Sequence, residues 1–338
     1  MADRERSAVR RVFTWALVIL IAGAVAIGFA NRQDISDRIR AASFEPSARI
    51  SQILDDLHLT DRGERIFLAS RPTVDGSQYF NTQCADVEHS ENGHVLGCYS
   101  QEHVRLFDVT DERISGIVEV TAAHELLHAA YARLGQRERD ALDRELRQTF
   151  DELSAGDSAL AERMAVYNHL SPSAYANELH SVLGTEVRDL PDAIEEHYAR
   201  YFSDRAVLLD RFDAFHAVFT DLELQATALE SDMTDLRADI EQRNADYDAA
   251  VAQFNLDAAD FSARNDRFEF SGDVAEFDRL KAELQTRRDA LEATLAQLQA
   301  DIDAYNSMRD QLRDLGQVSA ELDEKLNSSL APVSDTPE

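Results

Sequence analysis

In the stretch TAAHELLHAA, Thr121 to Ala130, two histidines stand four residues apart, and a glutamate directly follows the first. On a helix, His124 and His128 leave the same face one turn apart, close enough for both imidazoles to hold one metal ion. Glu125 then points beside that ion, where its carboxylate can take a proton from an activated water attacking a carbonyl carbon. Water on zinc has its pKa lowered to about 7, so hydrolysis near neutrality needs no covalent intermediate. Leu126, Leu127, Ala129 and Ala130 are uncharged, as are Thr121 to Ala123. Such a helix suits burial beneath an active-site floor.

This HExxH stretch resembles the zincin superfamily of zinc metallopeptidases, and the resemblance is specific over those residues alone. A catalytic zinc usually takes three protein ligands and a water, so a third ligand is needed. After His128 the chain runs AAYARLGQRER without another histidine, which excludes the metzincin spacing. The other zincin solution is a glutamate from a second helix. Glu178, in SPSAYANELHSVLGTE, is the foremost candidate: Ser171 can cap a helix with Pro172 at its first position, and Gly184 can end it. The run Asn177 to Ser181, NELHS, is similar to the Asn-Glu-x-x-Ser run carrying the glutamate ligand in thermolysin-like peptidases, although there the two motifs lie much closer together. Glu186, His180 and Glu195 are the alternatives. The resemblance also implies a His or Tyr that stabilises the tetrahedral oxyanion. His197, Tyr198 and Tyr201, on a helix opened by Pro191, could fill that role or form an aromatic packing stripe.

The elements that must position these groups are legible in outline. PSARISQILDDLHL, Pro46 to Leu59, reads as an amphipathic helix through Ile50, Ile53, Leu54 and Leu57. Arg65 to Ala69, His94 to Tyr99 and His103 to Val109 read as strands between turn-rich segments. Strands arriving before an active-site helix resemble the upper half of a zincin domain, whose edge strand binds substrate by strand addition. The HExxH helix is expected from near Asp111 to Leu134, with Gly135 in a left-handed cap. Leu142, Leu146, Phe150 and Leu153 form one helical stripe, and another helix is expected within Ala155 to Leu170.

Further on, Phe215, Phe219, Leu222, Ala226, Leu229, Met233, Leu236 and Ile240 alternate spacings of four and three, and Tyr247 to Phe261 continue the register. That is a coiled-coil seam. Ser271-Gly272-Asp273 breaks it, and a second run from Phe277 to Leu326 returns over a similar length. Two matched arms around one breaker predict an antiparallel helical hairpin, with a parallel homodimer as the alternative. The expected fold class is α+β: a zincin-like catalytic domain over residues 46–203 with a small sheet and an active-site helix, then a coiled-coil hairpin over 204–330 and a disordered tail over 331–338.

Before residue 46 lies a linker, 31–45, and before that a membrane signal. Val12 to Ala30 is free of charge and about 28 Å long as a helix, enough to cross a bilayer core. Arg4, Arg6, Arg10 and Arg11, within residues 1–11, place the N-terminus in the cytoplasm and the chain after Ala30 outside. An uncleaved anchor is favoured over a signal peptide cleaved after Ala30, because the apolar run is long. Cys84 and Cys98, the only cysteines, suit an extracytoplasmic disulfide. With 34 basic against 64 acidic residues, the net charge of −30 argues against nucleic acid or anionic lipid as the main partner. The reading is a membrane-anchored, extracytoplasmic zinc peptidase acting on a peptide or protein substrate, with Zn2+ held by His124, His128 and Glu178. Its hairpin would reach an envelope protein. The competing reading is a non-enzymatic envelope scaffold with a structural or vestigial metal site.

Overall fold

The computed structural model describes residues 31–85 and 94–328. The expected anchor at 12–30 and the tail at 331–338 lie outside the described residues. Among those described, no helix is long and apolar enough to cross a membrane.

One unit runs to Val218 and takes back the residues from Asp323; the other is Phe219–Leu322. In the first, three helices come before the sheet: α1 (Arg32–Ala42), α2 (Ala48–Leu57) and α3 (Asp61–Ala69). Ser47 caps α2 by accepting from Ile50 N, and Thr60 caps α3 by accepting from Gly63 N. The segment Arg65 to Ala69, expected as a strand, is therefore helical. Its short apolar run fits either period, and the Thr60 cap with Asp61 and Glu64 in the first turn decides for the helix, burying Ile66, Phe67 and Ala69.

The sheet has three strands, β1 (Thr73–Asp75), β2 (Gly97–Ser100) and β3 (His103–Phe107), in the order β1-β3-β2. β1 pairs parallel with β3, and β2 pairs antiparallel with it, Cys98 opposite Arg105. The sheet is thus mixed, with β2 at its edge; the expected strand from His94 forms only from Gly97. Cys98 is joined to Cys84 at the end of α4 (Ser77–Cys84), which ties the edge strand to the body of the unit.

α5 (Ile117–Ala132) carries the HExxH residues and is the centre of the unit, with 13 of its 16 residues buried. It packs against α2, α3, β2, β3 and α8 (Pro172–Glu186). Its expected start near Asp111 is instead a separate 3-10 turn, Glu112–Ile114, and Gly116 at φ +95° makes the corner into the helix. At the far end Gly135 has φ −68° and precedes α6 (Gln136–Ser154), so the left-handed cap expected there does not form. Two ion pairs fix α5 to its surroundings. Arg133 donates from Nε and Nη2 to Asp37 of α1 at 2.8 and 2.9 Å, both side chains about 6% exposed, and Arg49 of α2 meets the buried Glu119 at 3.0 Å.

α7 (Ser158–Ala165) and α8 follow, capped by Asp157 and Ser171. Gly184 does not end α8. It lies inside it, where a Cβ would fall against Leu127 of α5 and 2.7 Å from Tyr198 Cε1, so the glycine permits the close packing of α8 on α5. After α9 (Asp192–Tyr198), α10 (Arg205–Asp266) begins with Arg205, whose guanidinium donates to the carbonyls of Gly184, Val187 and Arg188 at the end of α8.

The second unit is a hairpin made of α10 from Phe219 onward and of α11 (Val274–Leu326) up to Leu322. Arg243 pairs with Asp301 and Arg287 with Asp257, and both pairs are symmetric about position 272, so the arms run antiparallel within one chain. The seam residues from Phe219 to Phe261 are half-buried along one face, as expected for two helices sharing one apolar stripe; Ile302, at 45% exposure, is an exception on the returning arm.

Candidate metal centre

Because α8 packs closely on α5, Glu178 stands opposite the two histidines. Its Oε2 is 3.6 Å from His124 Nε2 and 3.5 Å from His128 Nε2. The imidazole rings are 4.7 Å apart, nearly perpendicular, and ligand atoms of His124, Glu125 and His128 also lie within 4.8 Å of one another. Ligands about 2.0 to 2.2 Å from a tetrahedral zinc are roughly 3.4 Å apart, so the Glu178 oxygen stands at ligand spacing from each histidine nitrogen.

The electrostatics agree. Burial works against an imidazolium at His128, yet the Glu178 carboxylate, with help from Glu125, lifts its pKa to about 9. His124 is raised as well: its burial is outweighed by the facing Glu178 carboxylate and by the Glu125 charge. Burial would raise the Glu178 carboxyl, but the neighbouring imidazoles hold it well below the usual carboxylate range. Two carboxylates facing two imidazoles favour a cation between them, and a divalent metal can take the place of the protons.

Supporting contacts orient the set. Ser181 Oγ lies 3.2 Å from His128 Nδ1; with a metal on Nε2, Nδ1 would keep its proton and donate it to this hydroxyl. Glu125 lies under β2: a Cβ on Gly97 would fall 2.7 Å from its Oε1 and 2.6 Å from Thr121 Cγ2. Ser181 could have been suspected from its place three residues after Glu178, and Gly97 as an isolated glycine within a strand.

The centre opens into a cleft of about 540 Å3, a volume typical of ligand sites. Residues 94–99 form one wall, α5 the floor, and α7 with α8 the other wall; Ile117, Val120, Phe212 and Phe215 give it an apolar end. On the strand side, His94 Nε2 is 2.6 Å from Asp323 Oδ1.

The other nominated residues do not join the set. Glu186 lines the cleft but meets Arg163 there at 3.0 Å, and Glu195 binds Arg205. His180 is fully buried, with Nε2 2.9 Å from His197 Nε2. Tyr198 is also fully buried and donates from its hydroxyl to His180 O at 2.6 Å. Neither His197 nor Tyr198 lines the cleft; with Tyr201 they form the aromatic cluster that was the competing reading.

No family model, curated protein or solved structure matches the chain.

Proposed function

We propose that the chain is a zinc-dependent peptidase held at a membrane by its N-terminal segment, with the cleft on the extracytoplasmic side. The observation that carries this reading is the approach of one Glu178 oxygen to both histidine Nε2 atoms, beside Glu125, on the floor of a cleft with an edge strand for a wall. Zinc bound by His124, His128 and Glu178 would polarise a peptide carbonyl and acidify a water. Glu125 takes the proton from the attacking water and returns it to the leaving amine. The backbone at β2 can hold a peptide in extended form by strand addition, and the apolar end at Phe212 and Phe215 accepts a bulky apolar side chain. A disulfide between Cys84 and Cys98 accords with an oxidising compartment.

Metal content of the purified full chain is the direct test. One zinc per chain, lost in His128→Ala and Glu178→Ala, is expected. Glu125→Gln should keep the zinc and lose cleavage of an unstructured protein such as casein. A folded wild type that takes up no zinc on reconstitution overturns the reading.

A further inference from the structure

The tip of the hairpin holds an aromatic side chain in an unusual way. Phe268 lies between α10 and α11 with φ +59°, in the left-handed region, and the residue is 79% exposed. A non-glycine residue in that region carries a steric cost, and a turn alone would be served better by glycine or asparagine. Gly272, four residues on, does not have positive φ. An exposed phenylalanine gives the fold no burial to offset the strain.

The surroundings are built to hold it there. Phe261, Phe270 and Phe277 pack together with ring centroids 5.2 to 5.7 Å apart and close the end of the hairpin. Arg264 and Arg267 both donate to Glu269, which brackets the turn. Phe268 N donates to Asn265 O at 2.9 Å, and Phe268 O accepts from Ser271 N and Oγ. Three phenylalanines thus make a small core while the fourth is fixed outward. Val274, at the start of α11, is a second exposed apolar residue near the turn in sequence, at 67%.

We infer that this tip is a docking surface, with Phe268 as the anchor that enters an apolar pocket rimmed by Lys and Arg on a protein partner. Charge complementarity selects that occupant. From Asp257 to Lys281 the chain has seven acidic and four basic side chains. A negative tip is repelled by an anionic lipid surface and by a second copy of a chain whose net charge is −30. A rigid, exposed aromatic is the residue type that dominates protein interfaces at small ordering cost. Docking through Phe268 does not depend on peptidase activity in the other unit.

A photoreactive phenylalanine analogue placed at 268, at Val274 or at Leu224, an exposed site on the arm, gives the test in cells that produce the full chain. Positions 268 and 274 should give an adduct with one other protein that position 224 does not. That protein, purified, should bind the full chain at least tenfold more weakly after Phe268→Gly, and more weakly in wild type as salt is raised. Phe268→Gly should melt no lower than wild type, because glycine accepts the left-handed turn. Adducts with lipid only, adducts with the same chain only, identical adducts from 224 and 268, no adducts, or unchanged affinity in Phe268→Gly each overturn the inference.

Discussion

Ser181 Oγ lies 3.2 Å from Nδ1 of His128, inside the interface between α5 and α8. The contact engages the ring nitrogen opposite the one that faces Glu178, so the helix that carries the carboxylate also braces one of the histidines. Ser181→Ala should leave the fold intact and weaken zinc binding by about 10- to 100-fold, the usual effect of removing a ligand's hydrogen-bond partner. Competition with a chelator of known affinity measures it, and unaltered affinity would show that the serine orients nothing.

Gly97 is the place where the edge strand and the proposed base, Glu125, share space. A methyl group there would meet Glu125 Oε1 at 2.7 Å and Cγ at 2.8 Å. Gly97→Ala must shift either β2 or the carboxylate, whereas His124, His128 and Glu178 are not among the atoms nearest that contact. Cleavage of casein should therefore fall while zinc stoichiometry stays at wild-type level; loss of both together would point to general unfolding.

Asp37 and Arg133 form a buried, doubly hydrogen-bonded pair between α1 and the end of α5. Removing one partner leaves the other charge buried, which typically costs about 3 to 5 kcal/mol. Asp37→Ala should lower unfolding stability by that amount in denaturant titration. Replacing both residues with apolar ones should recover much of the loss.

The His180–His197 pair gives a pH dependence of known sign. Burial and then the nearby Arg200 push His197 down to about 4, and burial and the neighbouring His197 push His180 well below its ordinary value. Below pH 6.5 the unfolded chain takes up protons that the folded chain refuses, so this stability is present above 6.5 and is lost as pH falls toward 4. The share of His197 is at most about 3 kcal/mol. His197→Gln should flatten the stability profile between pH 7 and 4 relative to wild type; parallel profiles would contradict the assignment.

What the sequence by itself determined is what rests on near neighbours. The four-residue spacing of His124 and His128 puts both on one helix face wherever that helix goes, the Ser171 cap starts α8, and the alternating threes and fours from Phe215 onward define a seam. The pairing of Cys84 with Cys98 had no competitor. Long-range packing decided the rest. Glu178 reaches the histidines because Gly184 lets α8 approach Leu127, and nothing local to either helix encodes that approach. Arg65 to Ala69 carries too short an apolar run to separate strand from helix until the Thr60 cap and its burial are known. His197 and Tyr198 have the right chemistry for a cleft but face a buried aromatic cluster, since a helix fixes only the angle between side chains and not which side meets the substrate. The same seam could have closed on a second chain; the turn at 267–273 folds it back onto its own arm.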